Sequence, residues 1–282
     1  MKLKYAIIHK LITLTAKEME LLMYIIMVED QETGLAEGVH YRDVMQYTGM
    51  CKQSFYNALR GLERKGIVRV TRPSDVDYNV LVLDNGFPDH NWSEGYVNLS
   101  RKVFRTKKFR NLKAHEKYML LEFLKGTHEN GHSMCIGVKK FYEKFQKLLG
   151  VTARVLRGYL HNLKKFFSIG IKNGKYYITY LHSVFQDKDH SGKSEESMHL
   201  EQLVKKECHR NHISYDDENL EDTAYLVKQY RTYQDGGTKG IIDLLMYCIR
   251  MSAEGIRWKD RMLQSKYIHL LVRKGLGIGN QP

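Results

Sequence analysis

The side chains able to do chemistry fall into two groups. A few have the residue types of catalysis or metal binding without its setting. His128-Glu129-Asn130-Gly131-His132 has the H-E-x-x-H spelling of a zinc protease. That chemistry needs both imidazoles on one face of an unbroken helix, and Asn-Gly stands in the middle. Cys208 and His212 share a helical spacing but are two ligands where a structural zinc takes four. Ser191-Gly192-Lys193-Ser194 ends like a phosphate-binding loop, yet Asp187 occupies the position of its first glycine. No nucleophile, base and orienting group stand together. The expectation is a protein that is not an enzyme, with no catalytic residue, metal or cofactor.

The second group is larger: cations and hydrogen-bond donors at helical spacing. Lys52, Gln53, Asn57 and Arg60 (with Tyr56) line one face of a helix whose other face carries Phe55, Ala58, Leu59 and Leu62. About a hundred residues later Thr152, Arg154, Arg157 and His161 stand opposite Leu156, Tyr159, Leu160 and Leu163. A basic lead-in, Arg101, Lys102, Arg105, Lys107, Lys108 and Arg110, precedes this second set. Val103, Phe104 and Phe109 are interleaved with it and can dock the segment while its cations face outward. Lys172 and Lys175 flank Asn173-Gly174 just beyond. Arginines at such positions can pair bidentately with a guanine edge, whereas the lysines suit phosphates, which give affinity and register without reading sequence.

The charge distribution points the same way. The chain has 282 residues and a formal charge of +13. Residues 1–95 carry 11 Lys+Arg against 13 Asp+Glu, and residues 96–190 carry 20 against 6. So concentrated a surplus is an electrostatic footprint for nucleic acid. The four cysteines are widely spaced, with no Cys-x-x-Cys pair. No apolar run approaches a membrane span of ~18 residues or a signal-peptide core. A soluble, cytoplasmic protein without a membrane partner is expected.

The elements that must hold these side chains repeat. Thr15 and Glu18 form a capping box ahead of a helix with Met19, Leu22, Met23 and Ile26 as its buried stripe. A first helix is predicted over Lys4–Ile12, and a break falls at Gln31–Gly34. Val39–Gln46 is a further helix; Thr48-Gly49 turns the chain into the Lys52–Arg60 helix, which Gly66 ends. Two β-runs, Ile67–Thr71 and Tyr78–Leu83, follow around Arg72-Pro73-Ser74-Asp75. The second copy echoes this in order. Leu112–Glu116 matches Leu14–Glu18, His128–Gly131 matches the break, and Val138–Leu148 leads through Leu149–Thr152 into Ala153–Phe166. Ile169–Lys172 and Tyr176–Tyr180 then flank Asn173-Gly174, a strong two-residue hairpin signal.

Helix, turn, polar-faced helix and hairpin, with Leu-x-x-Leu-Glu-Arg-Lys-Gly-Ile-Val at the junction, resemble winged helix-turn-helix DNA-binding domains. The predicted fold class is mainly α with small β wings: two tandem winged-helix domains, residues 1–95 and 96–186, and a C-terminal helical domain, 196–275. Asn85–Asn91 and Gln186–Glu196 read as linkers from their turn residues. Four helices are expected near Met198–Asn211, Glu218–Tyr233, Lys239–Ala253 and Trp258–Arg273, with a capping sequence at Ser214–Asp217 and a flexible tail. The layout resembles replication initiator and replisome-organising proteins of plasmids, phages and mobile elements. That resemblance implies sequence-specific double-stranded DNA as partner, with one winged helix mediating assembly and the other reading the origin; the C-terminal helical bundle is expected to serve oligomerisation or a protein partner. The basic second copy is expected to be the main contact. For the first copy, with Glu63, Asp75 and Asp77 beside its polar face, DNA binding and self-association stay equally open. A transcriptional regulator, or an interaction scaffold with non-specific nucleic-acid binding, are the alternatives.

Overall fold

The computed structural model describes all residues except 92, 100, 130–132, 186–193, 233–236 and 279–282, and the side chains of His90, Lys102, Arg105, His182, Ser183 and Glu195 also lie outside the description. The chain opens with a strand, β1 (Lys2–Lys4), where a helix over Lys4–Ile12 was expected. The reason is long-range: β1 pairs antiparallel with a strand more than ninety residues away, Lys2 opposite Asn98. Only one α-turn, α1 (Tyr5–Ile8), and a 3-10 turn (His9–Thr13) follow.

The helix α2 (Ala16–Val28) starts at the expected capping box. Glu18 N–H donates to Thr15 Oγ1 at 3.3 Å, and Thr15 N–H donates to Glu18 Oε2 at 2.6 Å. Its apolar residues were predicted to form one stripe, but α2 is buried on every side from Glu18 to Val28. A helix buried all round belongs inside a core, and the helices Tyr41–Thr48, Lys52–Arg64, Ala114–Glu129 and Glu195–Arg210 are among those packed on it. The strand β2 (Leu35–Val39) follows, then α3 (Tyr41–Thr48), α4 (Lys52–Arg64), β3 (Val68–Thr71) and β4 (Tyr78–Val82). After β5 (Tyr96–Asn98) come two short helices, α5 (Arg101–Arg105) and α6 (Lys107–Arg110). The same order then recurs: α7 (Ala114–Glu129), β6 (Ser133–Gly137), α8 (Val138–Leu149), α9 (Ala153–Leu163), β7 (Phe167–Lys172) and β8 (Lys175–Tyr180). The two three-stranded antiparallel sheets have equivalent orders, β2-β4-β3 and β6-β8-β7. β2 and β6, which follow the expected breaks at Gln31–Gly34 and His128–Gly131, were not read from sequence, and Val39, expected to start a helix, ends β2.

The two copies share one hydrophobic core, which runs from Met1 to Ile178. Asn85 and Phe87, within the predicted linker, are buried. Asn85 Oδ1 accepts from Lys4 N–H at 3.0 Å, and its amide donates to Lys2 O and Glu29 Oε1 at 3.2 and 2.6 Å. Between the copies Lys117 Nζ reaches Glu20 Oε1 at 2.6 Å, and both side chains are buried.

Beyond α10 (His182–Phe185) the chain is helical: α11 (Glu195–Arg210), α12 (Asp217–Tyr230), α13 (Gly237–Ala253) and α14 (Ser265–Gly275). Asp216 caps α12 through Asn219 N–H at 2.7 Å. The predicted Trp258–Arg273 helix is a 3-10 turn at Trp258–Asp260 and then α14, because Ser214 and Met262 pair there as a β-bridge. These helices have a second core of their own. Helix α11 gives Leu200, Leu203, Val204 and Cys208 to this core and also lies along α2 and β2 of the first copy. Gln202 donates to Glu37 O and Gly38 O at 3.0 and 2.8 Å, and Arg210 grips Asp77 with two hydrogen bonds, 2.8 and 3.2 Å. No described helix is long and apolar enough to cross a membrane.

Candidate nucleic-acid interface

Helix α9 is held by its apolar side. Leu156, Tyr159, Leu160 and Leu163 are buried as their spacing required. Thr152 caps the helix, accepting from Val155 N–H at 3.4 Å. A second anchor joins α9 to α7: buried Glu116 accepts from Asn162 Nδ2 at 2.7 Å through one oxygen and from Lys113 N–H at 2.7 Å through the other. The first copy solves the same contact differently. Gly61 on α4 lies so close to Glu18 that a β-carbon there would collide with the carboxylate, and Lys65 Nζ supplies the ion pair at 2.6 Å. Both preceding turns use a left-handed glycine to cap the helix before, Gly49 (φ 73°) after α3 and Gly150 (φ 64°) after α8.

With its inner face fixed, α9 presents Arg154, Arg157, Gly158 and His161 outward, all exposed. Neither arginine makes an ion pair or hydrogen bond among the described residues. Gly158 leaves the helix surface open, with no atom within 4 Å of where a β-carbon would stand. The hairpin turns at Asn173 (φ 50°) and Gly174 (φ 69°), two left-handed residues as a type I′ turn requires. Gly174 O accepts from Val138 N–H at 2.9 Å, tying the tip to the start of α8. Lys172 and Lys175 are exposed on either side of it, as are Lys107 and Lys108 on α6.

The lead-in is less uniform than its sequence. Arg110 is half-buried, and its Nη1 donates to Thr48 O at 3.2 Å, closing the end of α3 in the first copy. It is used to join the copies. Arg101 is partly buried, and the side chains of Lys102 and Arg105 lie outside the description.

On the first copy α4 turns Lys52, Gln53, Asn57 and Arg60 outward. They are more engaged than the α9 set. Lys52 Nζ lies 4.7 Å from the Tyr41 ring centre, and Gln53 Nε2 donates to Asn57 Oδ1 at 2.9 Å. Arg72 pairs with Asp75 at 3.4 Å. Asp77, read from sequence as a charge beside this face, is fully buried and neutralised by Arg210, so it contributes no open negative charge. That partner lies 133 residues away, and nothing local announced it.

Of the sparse constellations, α7 ends at Glu129, and Asn130, Gly131 and His132 lie outside the described residues, as do Ser191–Lys193. Cys208 is buried in the second core while His212 is exposed. The four cysteines are free thiols. Comparison of the chain with protein-family models, with curated proteins and with solved structures finds no match.

Proposed function

We propose that this protein binds double-stranded DNA sequence-specifically through two winged helices in tandem, with α9 as the principal reader, in replication initiation of a plasmid, phage or mobile element. The observation that carries the reading is the outward face of α9. Two exposed arginines without an ion-pair or hydrogen-bond partner among the described residues, a capped N-terminus and an open glycine sit in a helix–strand–helix–helix–hairpin unit whose lysine-bearing hairpin follows the helix. In this role Arg154 and Arg157 reach base edges in the major groove. Lys107, Lys108, Lys172 and Lys175 hold flanking phosphates and set the register. His161 and the Thr152 end of α9 border the contact. The α4 set, Lys52, Gln53, Asn57 and Arg60, provides a secondary contact on the first copy.

The C-terminal helices take the assembly role in this proposal. Tyr225, Tyr247, Met251, Trp258, Tyr267 and Leu270 are exposed there, large apolar side chains available to a protein partner or a second copy.

The test is selection of binding sites from a random duplex library with the full chain, since the two copies share a core and are not separable by cutting. A sharp motif is expected. Arg154→Ala or Arg157→Ala relaxes preference at one position and costs about 1–3 kcal/mol there. Lys107→Ala and Lys108→Ala weaken every duplex alike, each lowering the salt dependence by about one unit of slope. Equal losses with unchanged preference in all four variants refute α9 as the reader. Binding without any enrichment moves the assignment to a non-specific scaffold. A motif that lies at a promoter, with no effect on replication of the DNA bearing it, makes the protein a transcriptional regulator.

A further inference from the structure

Where α11 crosses the first copy, three side chains with metal-binding atoms converge. His40 precedes α3 as its N-cap, Asp43 lies in the first turn of α3, and His209 is in the last turn of α11. Each offers a ligand atom within 4.8 Å of the other two, and His40 and Asp43 are buried. Asp43 Oδ2 stands 3.0 Å from His209 Nε2, and the two imidazoles face each other with centres 4.0 Å apart. Tyr215 OH donates to the other carboxylate oxygen, Oδ1, at 2.7 Å.

We propose that His40, Asp43 and His209 bind a divalent transition-metal ion, zinc by preference, which clamps the C-terminal helices onto the first copy. Two imidazoles and a carboxylate are a ligand set for zinc and its neighbours and a poor one for magnesium or calcium, which take oxygen. Metal–ligand bonds of about 2.0–2.2 Å place adjacent donors roughly 3.0–3.5 Å apart. The Asp43–His209 pair already has that spacing; His40, whose Nδ1 accepts from Arg42 N–H at 3.4 Å as it caps α3, has its ligand atom within 4.8 Å of both, and closing that gap completes the trio. Tyr215 OH, which also stands 3.2 Å from His209 Nε2, occupies the outer shell and holds Asp43 Oδ1 so that Oδ2 is the oxygen presented, a common way of orienting a ligating carboxylate. A cleft of about 340 Å³ between α2, α3, α11 and α12 reaches Asp43, the one member of the trio that lines it. Because the ligands come from two separately cored parts of the chain, the ion would hold those parts together. This site is independent of the DNA-binding reading.

The experiment is calorimetric titration of tag-free, chelator-treated full chain with Zn²⁺. One ion per chain is expected, with Mg²⁺ and Ca²⁺ unable to compete. Asp43→Asn and His209→Gln should abolish the binding. Tyr215→Phe should weaken it by about 10- to 100-fold, the usual cost of losing an outer-shell partner. His212→Ala, three residues from His209 and exposed, should leave it unchanged. Absence of stoichiometric binding by the wild-type chain overturns the proposal without recourse to any variant. So does binding that survives intact in folded His209→Gln or His40→Gln protein, and the trio is then a hydrogen-bonded Tyr–Asp–His seam alone.

Discussion

The ion pair between the copies offers a quantitative test of how they are joined. Lys117 Nζ has three protons and spends each: Glu20 Oε1 at 2.6 Å, Ala16 O at 3.4 Å and Arg110 O at 3.3 Å, with the Phe109 ring centre 5.1 Å away. Burial pushes this ammonium's pKa below its usual value, and Glu20 only partly restores it. Glu20 has a second cation, Lys17, at 2.8 Å and half exposed, whereas Lys117 has no second anion in contact among the described residues. Breaking a buried pair from one side costs about 3–5 kcal/mol because it strands the other charge. The two single variants should therefore differ. Glu20→Met strands Lys117 and takes the full ~3–5 kcal/mol, while Lys117→Met leaves Glu20 with Lys17 and costs nearer ~2 kcal/mol. The double variant Glu20→Met/Lys117→Met should be more stable than either, since well-packed apolar replacements of a buried pair are often neutral or better.

Hydrogen exchange of α2 and α7 across a urea series reads this directly and separates the first core from the second. The pH dependence supplies a second reading. A lysine whose folded pKa lies below 10.5 makes the unfolded chain bind more protons between those two values, so stability rises with pH across that window. In Glu20→Met the window widens downward, and stability should climb by at most ~1.4 kcal/mol per pH unit up to pH 10.5. Additive single effects in the double variant, or equal costs for the two singles, would refute the view that this pair is a mutually dependent buried contact.

Arg210→Ala leaves fully buried Asp77 with Ser74 Oγ alone; since Arg210 is itself partly exposed and water can enter, a loss of about 2–3 kcal/mol is expected by urea denaturation. Gly150→Ala should cost only the left-handed strain, roughly 1 kcal/mol, because its β-carbon meets no atom within 4 Å. Gly49→Ala should cost more in the same melting assay, since its β-carbon would stand 3.0 Å from Arg110 Nη1 and displace the bond to Thr48 O. Native hydrogen exchange should find β2 slower than β6 despite their equivalent places in the two sheets, and Gln202→Ala should narrow the gap; equal rates in the wild type would show that α11 does not protect the β2 edge.

What the sequence made legible was what local spacing controls. The α4 and α9 faces follow from Phe55, Ala58, Leu59 and Leu62 and their counterparts, and Asn173-Gly174 turned as its type demands. The missed strands have a physical reason. Leu-Ala-Glu-Gly-Val and Ser-Met-Cys-Ile-Gly have weak strand preferences, and each is held by pairing with a strand some forty residues later. β1 is defined by β5 in the same way. The buried charges were equally silent, because Lys117, Asp77 and Glu20 become core residues only when distant partners arrive. The His40–Asp43–His209 cluster joins residues 166 positions apart along the chain, so no local motif spells it. The near-continuous apolar run from Met19 to Val28 was the one readable sign that α2 is covered on all sides.

One repeated unit can serve two ends because its surroundings differ. On the first copy the outer edge of β2 is occupied: Gln202 donates to Glu37 O and Gly38 O, Lys206 pairs with Glu37 at 2.7 Å, and Arg210 reaches Asp77 beside β4. An edge strand covered in this way no longer offers its backbone to other chains, and the first copy becomes the platform for the C-terminal helices. On the second copy β6 packs against β8, α7 and α8, and no hydrogen bond from the C-terminal helices reaches it among the described residues. The cations follow the same division. In the first copy Lys65 and Lys4 pair with Glu18 and Glu94; in the second Lys117, Lys125, Lys139 and Lys144 are also paired, but Arg154, Arg157, Lys172 and Lys175 have no anion partner among the described residues. An arginine without an internal partner adds nothing to the fold through its charge and leaves its five donors to solvent or to a ligand. Under the proposed DNA-binding function, the first copy trades its charge for a rigid seat, and the second keeps its charge for the duplex.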